Sequence, residues 1–137
     1  MPSRSELKQL ARIKLREAEH LYDGGHYDGC AYLCGYVVEL ALKARICRVL
    51  GVTEYPEQPF FKTHNFKTLK LLAGLEERLV GGKVSPQLLI HWSLVIQWSP
   101  ELRYSPPGTY SPAQALQLLN AIRDPQEGVF PWLATRW

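Results

Sequence analysis

The chain has 137 residues, of which 46% are hydrophobic and 21% are charged, and its formal net charge is +3 at pH 7. This length supplies one hydrophobic core and is too short for two, so we treat residues 1–137 as a single domain. The composition excludes a disordered or fibrous chain, and the small positive charge allows an anionic partner without identifying one.

Three cysteines lie between residues 30 and 47, all on one predicted helix. Cys47 lies about 20 Å along the helix axis from Cys34, so the three thiols cannot share a metal ion within one chain. We expect reduced, buried thiols and neither metal nor cofactor.

The start of the chain lacks a signal-peptide pattern, and the most apolar run, Leu88–Trp98, is too short to cross a bilayer. The sequence therefore predicts a cytoplasmic protein without membrane contact.

The first predicted helix spans Ser5–Tyr22, with Ser5 as its N-cap, and ends at Asp23-Gly24-Gly25. Because this turn is short, the next helix should pack antiparallel to the first. One side of the helix repeats a basic residue every four positions, at Arg4, Lys8, Arg12 and Arg16. A solvated face is the favoured interpretation, and a strip that follows phosphates is the alternative.

The second and longest predicted helix spans Tyr27–Leu50 and ends at Gly51. At about 1.5 Å per residue it is roughly 36 Å long, and its wide apolar surface predicts a central helix with several neighbours. Gly29 and Gly35 each cost about 1 kcal/mol relative to alanine in a helix. We therefore expect another helix to pack closely against them.

One side of this helix has different chemistry, because positions i, i+4, i+7 and i+11 are Tyr32, Tyr36, Glu39 and Lys43. Glu39 precedes Lys43 by four residues, which is the favourable order for an ion pair. The favoured interpretation is a surface salt bridge at an amphipathic boundary. The alternative is a groove or a dimer face where the aromatic rings and the paired charges meet a partner.

A third helix is predicted to run from Phe66 to Leu79, with Asn65 as its N-cap. His64 precedes this start. It either orients the loop or belongs to a site, and the loop role is favoured.

Serine followed by proline marks the start of two more helices, at Ser85-Pro86 and Ser111-Pro112. We expect the first to extend to Trp98 and the second to end at Arg123. Residues 99–110 contain three prolines and cannot be regular helix throughout, and a short last helical piece follows residue 124. Because no strand pattern is present, the predicted fold class is all-α, an up-and-down four- to five-helix bundle.

Four short motifs occur together in a characteristic order. They are Gly25–Tyr32, the glutamate and lysine of Glu39-Leu40-Ala41-Leu42-Lys43-Ala44, Thr63-His64-Asn65 before the third helix, and Arg103-Tyr104 in the loop before the last long helix. From about Ser5 to Arg123 the chain therefore resembles a HEPN domain, a small helical-bundle family of prokaryotes that also occurs fused in larger proteins.

The resemblance implies a chemistry. Active HEPN domains resemble metal-independent ribonucleases in which an arginine is followed, after four to six residues, by a histidine, and dimerisation brings two copies together across a cleft. The arginine braces the scissile phosphate, and the histidine transfers a proton. Arg103 matches the arginine, but residues 108–110 contain no histidine. Tyr110 stands at the last permitted position, and a phenol, with an ordinary pKa of about 10, is a poor base.

We therefore predict a homodimer that binds RNA or a nucleotide without cleaving it. Arg103 and Tyr110 occupy the family's catalytic positions, and the predicted binding residues are Tyr36, Glu39, Lys43, His64 and Tyr104. The four Trp, seven Tyr and four Phe also favour a dimer, because one small core does not easily hide so many rings.

Two alternatives stay open. Many members of the family are encoded beside a small nucleotidyltransferase, so the resemblance also implies an adaptor or a toxin–antitoxin partner of such an enzyme. The other alternative is an active metal-independent endoribonuclease in which His64 or His91 replaces the missing histidine.

Overall fold

The computed structural model describes every residue from Met1 to Trp137. The helices are α1 (Arg4–Asp23), α2 (Tyr27–Leu50), α3 (Phe66–Leu72), α4 (Pro86–Val95), α5 (Pro112–Arg123) and α6 (Val129–Ala134). Single 3₁₀ turns form at Pro59–Phe61, Glu77–Leu79 and Pro100–Tyr104, and strand pairing is limited to one isolated bridge. The predicted all-α bundle is confirmed. None of the helices is both long and apolar enough to cross a membrane.

Helix α1 begins at Arg4 rather than at the predicted Ser5, and its N-cap is Ser3, two residues before the predicted cap. The Ser3 hydroxyl accepts a hydrogen bond from the Glu6 backbone N–H at 3.1 Å, and the Ser3 N–H donates to the Glu6 carboxylate at 2.7 Å. This reciprocal capping box needs an acidic or amide side chain three residues after the cap. Ser5 is followed at that distance by Lys8, which has no acceptor, so the prediction at Ser5 was wrong.

The basic side of α1 packs in part against the end of the chain. Arg4 donates to the carbonyl oxygen of Trp137 at 2.6 Å. The Lys8 Nζ and the Arg12 guanidinium carbon lie 5.7 and 4.8 Å from the centroid of the Trp137 ring. Only Arg16 is without such a contact. The solvated-face interpretation therefore holds for Arg12 and Arg16, whose side chains are exposed, and was wrong for Arg4 and Lys8, which are half-buried against Trp137.

Helix α2 is the centre of the bundle and has the predicted bounds. It ends at Gly51, whose φ of 67° is in the left-handed region that favours glycine. Twelve of its residues are buried, including the three cysteines, which are free thiols. A Cβ on Gly35 would lie 1.9 Å from the Trp98 ring. The close neighbour there is thus the Trp98 side chain and not, as predicted, another helix.

Helices α3 and α4 are shorter than predicted. The chain leaves α3 at Leu72 because Gly74 adopts a φ of 68°, and Leu75 and Leu79 reach the core from the following turn. Helix α4 ends at Val95, and the turn that follows directs Trp98 towards Gly35. A hydrogen bond of 3.1 Å from the indole N–H of Trp98 to the Tyr32 carbonyl oxygen fixes the ring in this position.

The predicted N-caps of α3, α4 and α5 are confirmed. Asn65, Ser85 and Ser111 each accept a hydrogen bond from a backbone N–H three residues later, at 3.1 Å in all three cases. The last helix, α6, contains Pro131 at its third position. Proline is tolerated there because the N–H groups of a first helical turn have no partner within the helix.

Replacing Gly35 tests the close approach of Trp98. We expect Gly35→Ala to lower the free energy of unfolding by roughly 2 kcal/mol or more, because the new methyl group overlaps the indole ring. The measurement is urea unfolding followed by circular dichroism.

Gly29→Ala is the matched control, since it gains the same helix propensity of about 1 kcal/mol. Its added Cβ meets only the flexible Leu21 side chain, at 3.3 Å. Equal effects of the two substitutions would show that Trp98 does not enforce glycine at position 35.

Candidate functional site

An open cavity of about 540 Å³ lies between the start of α3 and the 3₁₀ turn Pro100–Tyr104. One side is formed by residues 64–67 and the other by residues 96–101 together with Arg103. Three cationic or protonatable side chains therefore face one space: His64, Lys67 and Arg103. We refer to it as the His64–Arg103 cavity.

The position of His64 depends on Glu39, the only buried charged residue, with 3% of its surface exposed. Its carboxylate lies 2.6 Å from His64 Nδ1 and 3.4 Å from Lys43 Nζ. The preferred interpretation of Glu39 and Lys43 as a surface salt bridge was therefore wrong: the carboxylate is enclosed by the fold. A buried carboxylate needs such partners because its desolvation is costly.

This contact defines which nitrogen of His64 is free. A carboxylate only accepts hydrogen bonds, so Nδ1 is the nitrogen that donates to Glu39. The Nε2 atom then remains available for a ligand, and 54% of the His64 side chain is exposed. The same contact attaches the segment before α3 to α2, so the His64 ring both orients this loop and lines the cavity.

Two aromatic side chains of the lining, Phe66 and Trp98, form the floor of the cavity, and Tyr36 adjoins it through His64. The Tyr32 and Tyr36 hydroxyl oxygens are 3.3 Å apart. The Tyr36 ring meets His64 edge-on, with centroids 6.4 Å apart, and Phe66 stacks on Trp98 at 5.3 Å. Burial, and then the hydrogen bond with Tyr32, raises the pKa of Tyr36 to about 12. Tyr36 is therefore a neutral hydrogen-bonding group at physiological pH.

Arg103 is exposed at the rim of the cavity. Its guanidinium carbon lies 4.9 Å from the centroid of the Tyr104 ring, which is itself 72% exposed. Hydrogen bonding to the side chain of Tyr32, and then to that of Tyr104, raises the pKa of Arg103. The group is thus a permanent cation, with an aromatic surface beside it.

Of the seven predicted site residues, only His64 and Arg103 line the cavity. Tyr36 and Glu39 contact His64, and Tyr104 lies beside Arg103. Lys43 and Tyr110 lie elsewhere. Lys43 is largely buried between Glu39 and the Tyr55 ring, 5.3 Å from its Nζ. Tyr110 lines a different cavity of about 290 Å³, and its backbone N–H donates to the Asp28 carboxylate at 2.8 Å. Burial raises the pKa of Tyr110. The geometry within one chain therefore gives Tyr110 no contact with the His64–Arg103 cavity.

Two residues of the site were not singled out by the sequence. Lys67 lines the cavity, and its spacing of three from His64 on a helix start was an available signal. Trp98 supports the floor through a contact with Gly35, which only the three-dimensional structure shows. Outside the cavity, Asp28 accepts hydrogen bonds from the backbone N–H groups of Gly108 and Tyr110, and no local pattern indicates this. No three His, Cys, Asp or Glu side chains are grouped as metal ligands would be.

The fold and the cavity define a small helical-bundle domain with an open cationic site. The family model for the HEPN domain matches residues 5–123, nearly the whole chain. The chain therefore belongs to the HEPN domain family, a family of RNA-binding and nuclease-type domains. Searches of curated proteins and of solved structures found no match to it.

The tyrosines of this region predict a pH dependence of stability. The folded-state pKa values of Tyr36 and Tyr55 are about 12, above the ordinary value of about 10. Since the folded state holds these protons more tightly, their contribution is complete below pH 10 and is lost as the pH approaches 12. Urea unfolding at intervals across this range should show a falling free energy of unfolding.

Two variants test whether these tyrosines cause the fall in the free energy of unfolding with pH. Tyr55→Phe should make the slope less steep, because one of the tyrosines with a raised pKa is removed. Tyr104→Phe, at an exposed position, should leave it unchanged. Identical slopes in both variants would contradict the assignment.

Proposed function

We propose that this HEPN domain binds RNA or a nucleotide by seating a phosphate group in the His64–Arg103 cavity. The observation that supports this most directly is the shared cavity of Arg103, Lys67 and His64. Glu101 is the only acidic side chain that lines it. An arginine fork holds phosphate oxygens in two parallel hydrogen bonds, and a lysine adds a point charge.

The aromatic ring of Tyr104 supports a nucleic-acid ligand over a free anion. It is 72% exposed and adjoins Arg103. A base stacked on such a ring contributes about 1–3 kcal/mol without selecting a sequence. Phosphate binding by Arg103 and stacking on Tyr104 would then act on neighbouring parts of one nucleotide.

The absence of histidine from residues 108–110 supports binding without the family's usual cleavage. Tyr110, at the last permitted position, is held by Asp28 and lines a separate cavity. Arg103 thus supplies the arginine of the family's catalytic motif, but no histidine follows it at residues 108–110.

A second candidate function, metal-independent RNA cleavage, is favoured by the contact between Glu39 and His64. A carboxylate on Nδ1 leaves Nε2 as the base, the arrangement of many general bases. His64 would take the proton of a 2′-hydroxyl, the 2′-oxygen would attack phosphorus, and the 5′-oxygen would leave and take a proton from water. His91 is less suited, because its Nδ1 lies 2.7 Å from the Glu127 carbonyl oxygen, outside this cavity.

We also propose that two copies pair with their Arg103 residues close together, since HEPN domains often dimerise. The aromatic content of the chain adds little support for a dimer. Trp92, Trp98 and Trp137 are buried within one chain, and only Phe60 and Tyr104 are exposed aromatic rings. The exposed Tyr104 beside Arg103 is the observation that supports this interface. A role as the partner of a nucleotidyltransferase stays a prediction.

Arg103→Ala tests phosphate binding directly. We expect it to weaken the binding of a fluorescently labelled single-stranded RNA about tenfold or more, because a charge-assisted hydrogen bond contributes about 1.5–3 kcal/mol. The RNA affinity of Arg103→Lys should lie between those of the wild type and of Arg103→Ala. Fluorescence anisotropy at a fixed salt concentration measures these affinities.

Arg16→Ala removes the same charge from an exposed position on α1 and is the control. An equal loss in both alanine variants would mean that the cavity is not the RNA site. The same RNA incubated in EDTA distinguishes the second candidate. Cleavage by the wild type that is lost in His64→Ala and in Arg103→Ala, but kept in His91→Ala, would favour the nuclease over binding alone.

Light scattering tests the dimer. The purified protein should have roughly twice the chain mass of 15.6 kDa, and Tyr104→Lys should shift it towards one chain mass, because two further positive charges would lie beside the paired Arg103 residues. A wild-type protein that remains at one chain mass at high concentration would contradict the proposed pairing.

A further inference from the structure

Four arginines line one small cavity at the C-terminal end of α2. The cavity has a volume of about 290 Å³ and also touches the Glu77–Leu79 turn and the end of α6. Its lining consists of Thr135 and of Arg45, Arg48, Arg78 and Arg136. No acidic side chain lines it, and none of the four guanidinium groups takes part in a salt bridge.

Two of these arginines are held in place by the fold. Arg45 donates to the carbonyl oxygens of Ala73 and Arg136, at 3.2 and 2.9 Å. Arg136 donates to the Trp132 carbonyl oxygen at 3.0 Å, and its guanidinium lies 4.4 Å from the centroid of that ring. Its Nε atom is buried and has no hydrogen-bond partner. The cluster is thus partly preorganised, with donor capacity left over.

The positive charges of these arginines repel one another at the C-terminal end of α2. Burial, and then the charges of Arg78, Arg48 and Arg136, lowers the pKa of Arg45. Burial and then Arg78 lowers the pKa of Arg136 in the same way. Like charges that the fold holds together, with no carboxylate among them, are stabilised by a bound anion.

The positive lining continues into a neighbouring cavity. Arg48 also lines a second cavity of about 530 Å³, together with Arg4 and Lys8. This second lining likewise contains no acidic and no aromatic residue. The two cavities meet at Arg48, so an anion longer than a single phosphate has cations along its length.

We propose that this arginine cluster binds a small oligophosphate, a ligand with two or more phosphate groups in a row. Guanidinium groups pair with phosphate oxygens bidentately, and several of them match several phosphates. No aromatic side chain lines either cavity, so the phosphates rather than a base are recognised.

The cluster is separate from the His64–Arg103 cavity. Arg45 and Tyr36 are nine positions apart on α2, which is two and a half helical turns, so they point to opposite sides of the helix. The two sites therefore take their ligands independently, and the oligophosphate site does not rest on the proposed RNA site.

The test uses inorganic tripolyphosphate as the probe, titrated by isothermal calorimetry at about 0.15 M salt, where exposed charges are screened beyond about 8 Å. Wild type should show saturable binding, and orthophosphate should bind at least tenfold more weakly. The double variant Arg48→Ala/Arg78→Ala should lose at least tenfold in affinity. Both residues are exposed, so a thermal melt should confirm that it still folds.

Lys62→Ala/Lys83→Ala removes the same charge from exposed positions elsewhere and should bind tripolyphosphate like the wild type. Arg103→Ala should also bind it unchanged. An absence of saturable binding, an equal loss in the lysine control, or loss of binding in Arg103→Ala would each overturn the proposal. The last of these results would place the ligand in the other cavity and leave the RNA proposal standing.

A parallel titration with ATP tests whether the ligand is a free oligophosphate or the phosphate chain of a nucleotide. Equal affinity for tripolyphosphate and for ATP would support a free oligophosphate as the ligand. Tighter binding of ATP that is lost in Arg48→Ala/Arg78→Ala would support the phosphate chain of a nucleotide. ATP binding that only Arg103→Ala removes would count against the arginine cluster.

Discussion

The buried carboxylate of Glu39 constrains the arrangement around the candidate site. It lies in the middle of α2, and its two partners come from different parts of the chain: Lys43 from the same helix and His64 from the segment before α3. A carboxylate in a protein interior is tolerated only when such partners compensate its desolvation. The contact therefore ties the start of α3 to the central helix and fixes the imidazole at the edge of the cavity.

The other side of the cavity depends on a contact of opposite character. Gly35 leaves room on α2 for the Trp98 ring, which stacks on Phe66 and hydrogen-bonds to the Tyr32 backbone. Trp98 lies two residues before the start of the 3₁₀ turn that contains Arg103. A polar pair and a packed ring thus position the two halves of one site, and both are attached to the same helix within a short distance of each other.

Local chemistry made much of the fold predictable from the sequence. The bounds of α2 and α5 and the caps at Asn65, Ser85 and Ser111 follow from residues that are neighbours in the chain, and the structure agrees. The error at the start of α1 was also local, since Ser3 and Ser5 are both serines and only Ser3 has glutamate at the third position. The early end of α3 was visible in principle at Gly74, which the apolar spacing of its neighbours obscured.

The site was less predictable, because its geometry depends on contacts between distant segments. Nothing near Glu39 in the sequence shows that it is buried, since its partner His64 lies 25 positions away. The contact between Trp98 and Gly35 is equally invisible in the sequence, because these residues are also far apart in the chain. Residues that were grouped by resemblance alone, such as Tyr110 with Arg103, need not share a cavity within one chain.

The Asp28 carboxylate has a consequence for the loop that precedes α5. It accepts hydrogen bonds from the backbone of Gly108 and of Tyr110, at 2.7 and 2.8 Å, and so fastens this loop to the first turn of α2. The backbone position where the family's histidine would stand thus serves as an anchor of the loop. The backbone of a histidine introduced at position 110 would still be hydrogen-bonded to Asp28, and its side chain would be half-buried. Restoring the Arg-to-His spacing in the sequence would therefore not by itself place the imidazole beside Arg103.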